Sequence, residues 1–155
     1  AEFAVLSENL RFEASTASGT RKTLKPLLND SGAITPHPDC DNNPRNANNP
    51  ELIKLTLDTA NKWGVNQHLA YELVSYESHF NPKACNPKST AKGMMQFLIS
   101  TWRDFCSGDV WNPEDNLNCG MRLLSENQIN HWLADPNTKA MLIRKNALKE
   151  IMVKK

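Results

Sequence analysis

The chain reads as a mainly α-helical protein, and three features of the sequence predict this. Asn49-Pro50, Asn112-Pro113 and Asp135-Pro136 each join a residue able to cap a helix to a proline suited to its first turn. Each pair precedes apolar residues at helical spacing. Runs that alternate apolar and polar residues, as a half-buried strand requires, are nearly absent.

Taken in order, the first helix starts at Asn49-Pro50, carries Leu52, Ile53, Leu55, Leu57 and Ala60, and ends on Gly64 as its C-cap. Asn66 caps a second helix with Leu69, Ala70, Leu73 and Val74 on one face, and Asn81-Pro82 stops it. Ser100 or Thr101 is read as the cap of a short helix carrying Trp102 and Phe105. The helix from Asn112-Pro113 places Glu114 and Asp115 in its first turn, where they complement the helix dipole, and turns Leu117, Met121 and Leu124 inward. Asp135-Pro136 opens the last helix, with Ala140, Ile143, Ala147, Leu148 and Ile151 as its apolar stripe.

Residues 1–48 differ from this pattern. Positions 15–23 are small and polar, and 35–49 are rich in Pro, Asn and Asp, with Pro36, Pro38 and Pro44 breaking any helix. They read as an N-terminal extension or linker to a domain at 49–155, with Leu24, Leu27 and Leu28 as candidates to dock on it. The 155 residues suffice for one domain with a core, and 39% apolar and 23% charged residues suit a soluble globular protein. A net charge of only +1 provides no long-range basic field, which argues against nucleic acid as a partner. No stretch approaches the ~20 apolar residues of a membrane span. The N-terminus lacks the apolar core of a signal peptide, as expected where such a signal has been removed or the sequence begins after it.

Four cysteines occur, Cys40, Cys85, Cys106 and Cys119, with no CxxC pair and no zinc-finger spacing. An even count without metal spacing favours two disulfides and an oxidising compartment; four buried thiols in a reducing one is the alternative. Cys106 and Cys119 lie thirteen positions apart, and Gly108 and Pro113 let the chain turn back between them. Cys40 with Cys85 would then tie the extension to the loop after the second helix.

Glu77 is the residue whose position suggests chemistry. It follows Leu69 and Leu73 at i+8 and i+4, so it falls on the apolar stripe near the helix C-terminus. Burial raises a carboxyl pKa, and the negative end of the helix dipole acts the same way. A general acid near neutral pH needs that state. Periodicity alone leaves open that Glu77 simply reaches water at the helix end.

Glu77 to Ala84 reads Glu-Ser-His-Phe-Asn-Pro-Lys-Ala; Gly93-Met94-Met95-Gln96 follows a polar loop. A third block runs Asn112-Pro113-Glu114-Asp115-Asn116-Leu117, then Gly120 and Leu124. In order and spacing the three blocks, spanning about 50–124, resemble the catalytic domain of soluble-type (SLT) lytic transglycosylases, relatives of goose-type lysozyme. The resemblance implies a lysozyme-like helical domain with a substrate cleft, acting outside the cytoplasm on peptidoglycan glycan strands as a monomer. It implies Glu77 as the single catalytic acid/base, and no metal or organic cofactor.

By the same resemblance Ser78 sits beside the acid, bonding to it or to an acetamido group, while Met95 and Gln96 line the saccharide cleft. Core packing is the alternative for at least one of Met94 and Met95. One departure stands out. The family's Ala-Tyr-Asn-Ala-Gly motif, whose tyrosine faces the glutamate, is missing, and no tyrosine follows Tyr76. His131 or Trp132 is the candidate for that space, with an ordinary core role as the alternative. A hydrolytic lysozyme would want a second carboxylate, for which Asp104, Asp109 and Asp115 are the sequence candidates. An inactive peptidoglycan-binding scaffold is the non-enzymatic reading.

Overall fold

The computed structural model describes residues 40–153. Leu24, Leu27 and Leu28 lie outside the described residues. Among these, six α-helices and one short 3-10 turn, Pro44–Asn46, are joined by loops, with isolated bridges in place of strands.

Helix α1, Pro50–Trp63, begins where the Asn49 side chain accepts the Glu51 amide and ends on Gly64 at φ 72°. Helix α2, Gln67–Ser78, begins where Asn66 accepts the amides of His68 and Leu69. Leu69, Ala70, Leu73 and Val74 are fully buried, which fixes α2 as the central helix of the core. Each leucine so buried contributes roughly 2 kcal/mol. Helix α3 is Ile99–Phe105, α4 Pro113–Ser125, α5 Asn130–Leu133 and α6 Pro136–Arg144. Helix α1 packs on α2 and α4, α2 also on α6, and α5 on α6.

Three expectations need correction. Helix α2 stops at Ser78, ahead of Asn81-Pro82, because His79 and Phe80 both turn left-handed, at φ 53° and 60°. That reversal drives Phe80 into the core, against Tyr71 at 5.2 Å between ring centroids. Neither Ser100 nor Thr101 caps α3: Leu98 holds that position without a side-chain bond, and Thr90 Oγ1 accepts the Ile99 amide instead. The last helix ends at Arg144, and its inner face is Thr138, Met141 and Leu142. Ile143 is 60% exposed, while Ala147 is buried beyond the helix end. The face of α6 is chosen by its contact with α2, not by its own apolar count.

The structure joins Cys106 to Cys119 and Cys40 to Cys85. The first ties the end of α3 to α4. The second ties the segment before the 3-10 turn to the loop after α2. A small clip of bridges, Cys85 to Lys92 and Lys92 to Phe97, follows that loop. Lys92 is buried within it, and burial pulls its amine down to about 8.

Candidate active site

The site forms where the C-terminal end of α2 meets the turn that carries Gly93 to Gln96. Gly93 has φ 85°, and a Cβ there would stand 2.4 Å from Asn116 Nδ2 and 2.6 Å from the Val110 carbonyl. Only glycine therefore fits. Asn116, fully buried on α4, accepts the Met95 amide at 2.9 Å and donates to the Val110 carbonyl at 2.9 Å. At Gly120 a Cβ would stand 2.1 Å from Met95 Sδ, so the turn lies flush on α4. These contacts explain why Gly93, Asn116 and Gly120 have the identities they have.

Glu77 occupies the penultimate position of α2. The residue keeps a partial opening to solvent, but its carboxyl is set deep enough that burial raises its pKa. The nearby Asp135 carboxylate adds to the rise, while a hydrogen bond from Thr138 opposes it. That bond runs from Thr138 Oγ1 to Glu77 Oε2 at 3.2 Å. A carboxyl in this state retains its proton to higher pH than a free glutamate and can donate it to a bound oxygen.

The other sequence candidates fall as follows. Ser78 is buried, and its hydroxyl donates to the Met94 carbonyl at 2.7 Å, joining α2 to the glycine turn. Met94 and Met95 are both fully buried. Met95 acts through its backbone, its carbonyl accepting from Trp132 Nε1 at 2.8 Å. Gln96 takes a left-handed φ of 54° and donates from Nε2 to the carbonyls of Ala84 and Gly93. His131 is half-buried, 3.1 Å from Gln128 Oε1, with its ring 5.0 Å from that of Phe105. Trp132 is the core residue of the pair. Asp115 accepts the Asp109 amide and Asp109 accepts the Trp111 amide, so both shape the turn before α4.

Two residues at Glu77 were not anticipated, Thr138 and Asp135. Asp135 Oδ1 accepts the Asn137 amide and so caps α6, which brings both to the glutamate from one helix start. Their signal in the sequence was the Asp-Pro pair itself, which fixes where α6 begins but not what it faces.

A cavity of about 460 Å³ adjoins Glu77. Asn43, Ala47 and Asn48, from the segment before α1, line it together with Glu77, His79 and Asn81. No group of His, Cys, Asp and Glu with metal-holding geometry occurs among the described residues.

A helical, lysozyme-like domain with one buried carboxyl beside an open cavity is the class that fold and site define. The profile of the Transglycosylase SLT domain matches residues 54–135, more than half of the chain. The chain belongs to the SLT transglycosylase domain family. It is similar to proteins named endo-type membrane-bound lytic murein transglycosylase A from Salmonella paratyphi B (strain ATCC BAA-1250 / SPB7), Salmonella enteritidis PT4 and Salmonella typhimurium (strain LT2). Each is 36% identical over 74 residues, covering 41% of this chain and 36% of the relative. The chain thus spans little more than a third of the length of these curated relatives. No solved structure matches it significantly.

Proposed function

We propose that this protein is a peptidoglycan lytic transglycosylase that cuts the β-1,4 bond between N-acetylmuramic acid and N-acetylglucosamine and leaves 1,6-anhydro ends. The observation that carries the reading is the buried carboxyl of Glu77, its pKa raised by burial, at the edge of an open cavity in an SLT domain.

In this reaction protonated Glu77 gives its proton to the glycosidic oxygen as the C–O bond breaks. The cation-like carbon is stabilised by the neighbouring N-acetyl group. Ionised Glu77 then takes the proton of the same sugar's 6-hydroxyl, whose oxygen closes on that carbon. The proton count returns to its start, and no water is consumed. Attack from within the substrate has the advantage of proximity. Thr138 steadies the ionised carboxyl between the two transfers. Hydrolysis of the same bond is the weaker reading, because two of the three sequence candidates for a second carboxylate, Asp109 and Asp115, are engaged in the turn before α4.

The catalytic unit is taken as 49–155, with 1–48 as an extension whose last residues reach the cavity. Action outside the cytoplasm is supported by the two disulfides and by relatives named membrane-bound. No described helix is long and apolar enough to cross a membrane. Digestion of purified sacculi followed by mass analysis tests the reading. Products lighter by one water than hydrolysed muropeptides are expected; hydrolysed ends, or intact sacculi, would overturn it.

A further inference from the structure

One wall of the Glu77 cavity lies ahead of the family match, which begins at residue 54. We propose that residues 43–48 are a sugar-binding wall, in which Asn43 and Asn48, with His79 lining the same cavity, hydrogen-bond an N-acetylated hexose of the glycan beside Glu77. The proposal rests on the glycan-cleaving reading and names the chain's own contribution to substrate contact.

The first argument is how this segment is held. Pro44–Asn46 contains no buried residue, so the turn gains nothing from core packing. It is nevertheless fixed at both ends. Cys40 is bonded to Cys85, and the Asp41 amide donates to the Lys83 carbonyl at 2.9 Å. The Asn42 side chain clasps Cys85 twice, accepting its amide at 3.0 Å and donating to its carbonyl at 3.2 Å. Asn81 Nδ2 donates to the Asp41 carbonyl at 2.8 Å, and the Asn48 amide to the His79 carbonyl at 2.8 Å. Ordering an exposed stretch costs conformational entropy. Here that order fixes part of the lining of the cavity beside the glutamate.

The second argument is the chemistry left over. Asn43 Oδ1 accepts the Arg45 amide, which leaves its Nδ2 to donate. The Asn48 side-chain carboxamide and the His79 ring make no hydrogen bond among the described residues. Amides and an imidazole match sugar hydroxyls and acetamido groups, each of which donates or accepts without carrying charge. The cavity volume falls in the range of small-ligand sites, ~300–1,000 Å³.

The test uses the Glu77→Gln protein, expected to bind without cutting, and a pentamer of N-acetylglucosamine titrated by calorimetry. In that background Asn43→Ser keeps the capping oxygen of the 3-10 turn, and Asn48→Gly keeps the left-handed φ of 57°. Losing two sugar hydrogen bonds is expected to weaken binding about tenfold. His79→Gly, at a left-handed C-cap that glycine favours and lining the same cavity, is expected to weaken it several-fold with the fold kept. Unchanged affinity in both variants overturns the proposal, as does failure of the parent to bind the pentamer. Failure of wild type to cut sacculi counts against the catalytic reading alone, because the titration needs no cleavage.

Discussion

The two sides of the Glu77 cavity are held in place by different means. The α2 side is rooted: Leu69, Leu73 and Val74 below Glu77 are fully buried, so the carboxyl stands on the core. The 43–48 side is pinned: a disulfide and a handful of polar bonds secure a segment with almost no core of its own. A reacting carboxyl needs a fixed position and a reduced contact with water, and packing supplies both. A surface that contacts a solvated polymer must keep its polar groups exposed, and pins allow that.

The largest effect should come from the rooted side. Glu77→Gln is expected to lower the cleavage rate at least about a hundredfold with the helical fold kept, as followed by turbidity of cell walls and circular dichroism. Near-normal cleavage would move the chemistry away from α2. The same variant reports on burial. Because folding raises the Glu77 pKa, ionisation costs stability as pH rises through the interval between the unfolded and folded values. The variant should therefore melt higher than wild type at pH 7 to 8 and close to it near pH 4. A lower melting point at neutral pH would mean the ionised carboxyl is well accommodated.

The pinned side should fail differently. Cys40 and Cys85 are 45 positions apart, and the chain-entropy relation gives about 4 kcal/mol for closing such a loop. For Cys106 and Cys119, 13 apart, it gives about 3 kcal/mol. The double variant Cys40→Ser/Cys85→Ser should thus lose stability and also raise KM for glycan strands, since the wall is released. Cys106→Ser/Cys119→Ser should lose stability with KM held, as measured below the melting transition. Equal KM changes in the two would erase the distinction.

The smallest effect concerns Thr138. Thr138→Val removes the hydroxyl that steadies ionised Glu77 while keeping the shape. One hydrogen bond to a charged group is worth ~1.5–3 kcal/mol, so kcat should fall roughly tenfold or more with KM little changed. The alkaline limb of the rate profile should move upward, because a group that lowers the carboxyl pKa has gone. Thr138→Ser should restore both. An unmoved pH profile would reduce Thr138 to packing.

What the sequence made legible was local. Asn49, Asn66, Asn112 and Asp135 cap their helices through contacts two or three residues away, so each start could be read from a short window. The Leu69–Leu73 stripe placed Glu77 for the same reason. The hidden parts depend on distant partners. Thr138 meets Glu77 across 61 positions, and nothing near Thr138 reveals it. Ile143 looks like a core residue by composition, yet the α2 contact selects Thr138, Met141 and Leu142 instead. The reversal at His79 and Phe80 was masked by the more conspicuous Asn81-Pro82. The Pro- and Asn-rich stretch before Asn49 read as an extension or linker; its tie through Cys40 and Cys85 was expected, but the side-chain clips of Asn42 and Asn81 that set it beside the cavity were not.

Lys92, buried in the clip that follows the second cysteine of the wall, has a consequence for how the protein exchanges protons with its medium. Folding lowers its pKa from 10.5 to about 8, so between those values the unfolded chain binds a proton that the folded one lacks. Glu77 acts in the opposite sense at lower pH, where the folded chain holds the extra proton. Thermal unfolding should therefore take up a proton near pH 9, whereas in mildly acidic buffer the proton released by Glu77 is set against one taken up by His131, whose pKa burial lowers. The apparent unfolding heat near pH 9 should then shift when a buffer of high ionisation enthalpy replaces one of low, and shift less in mildly acidic buffer.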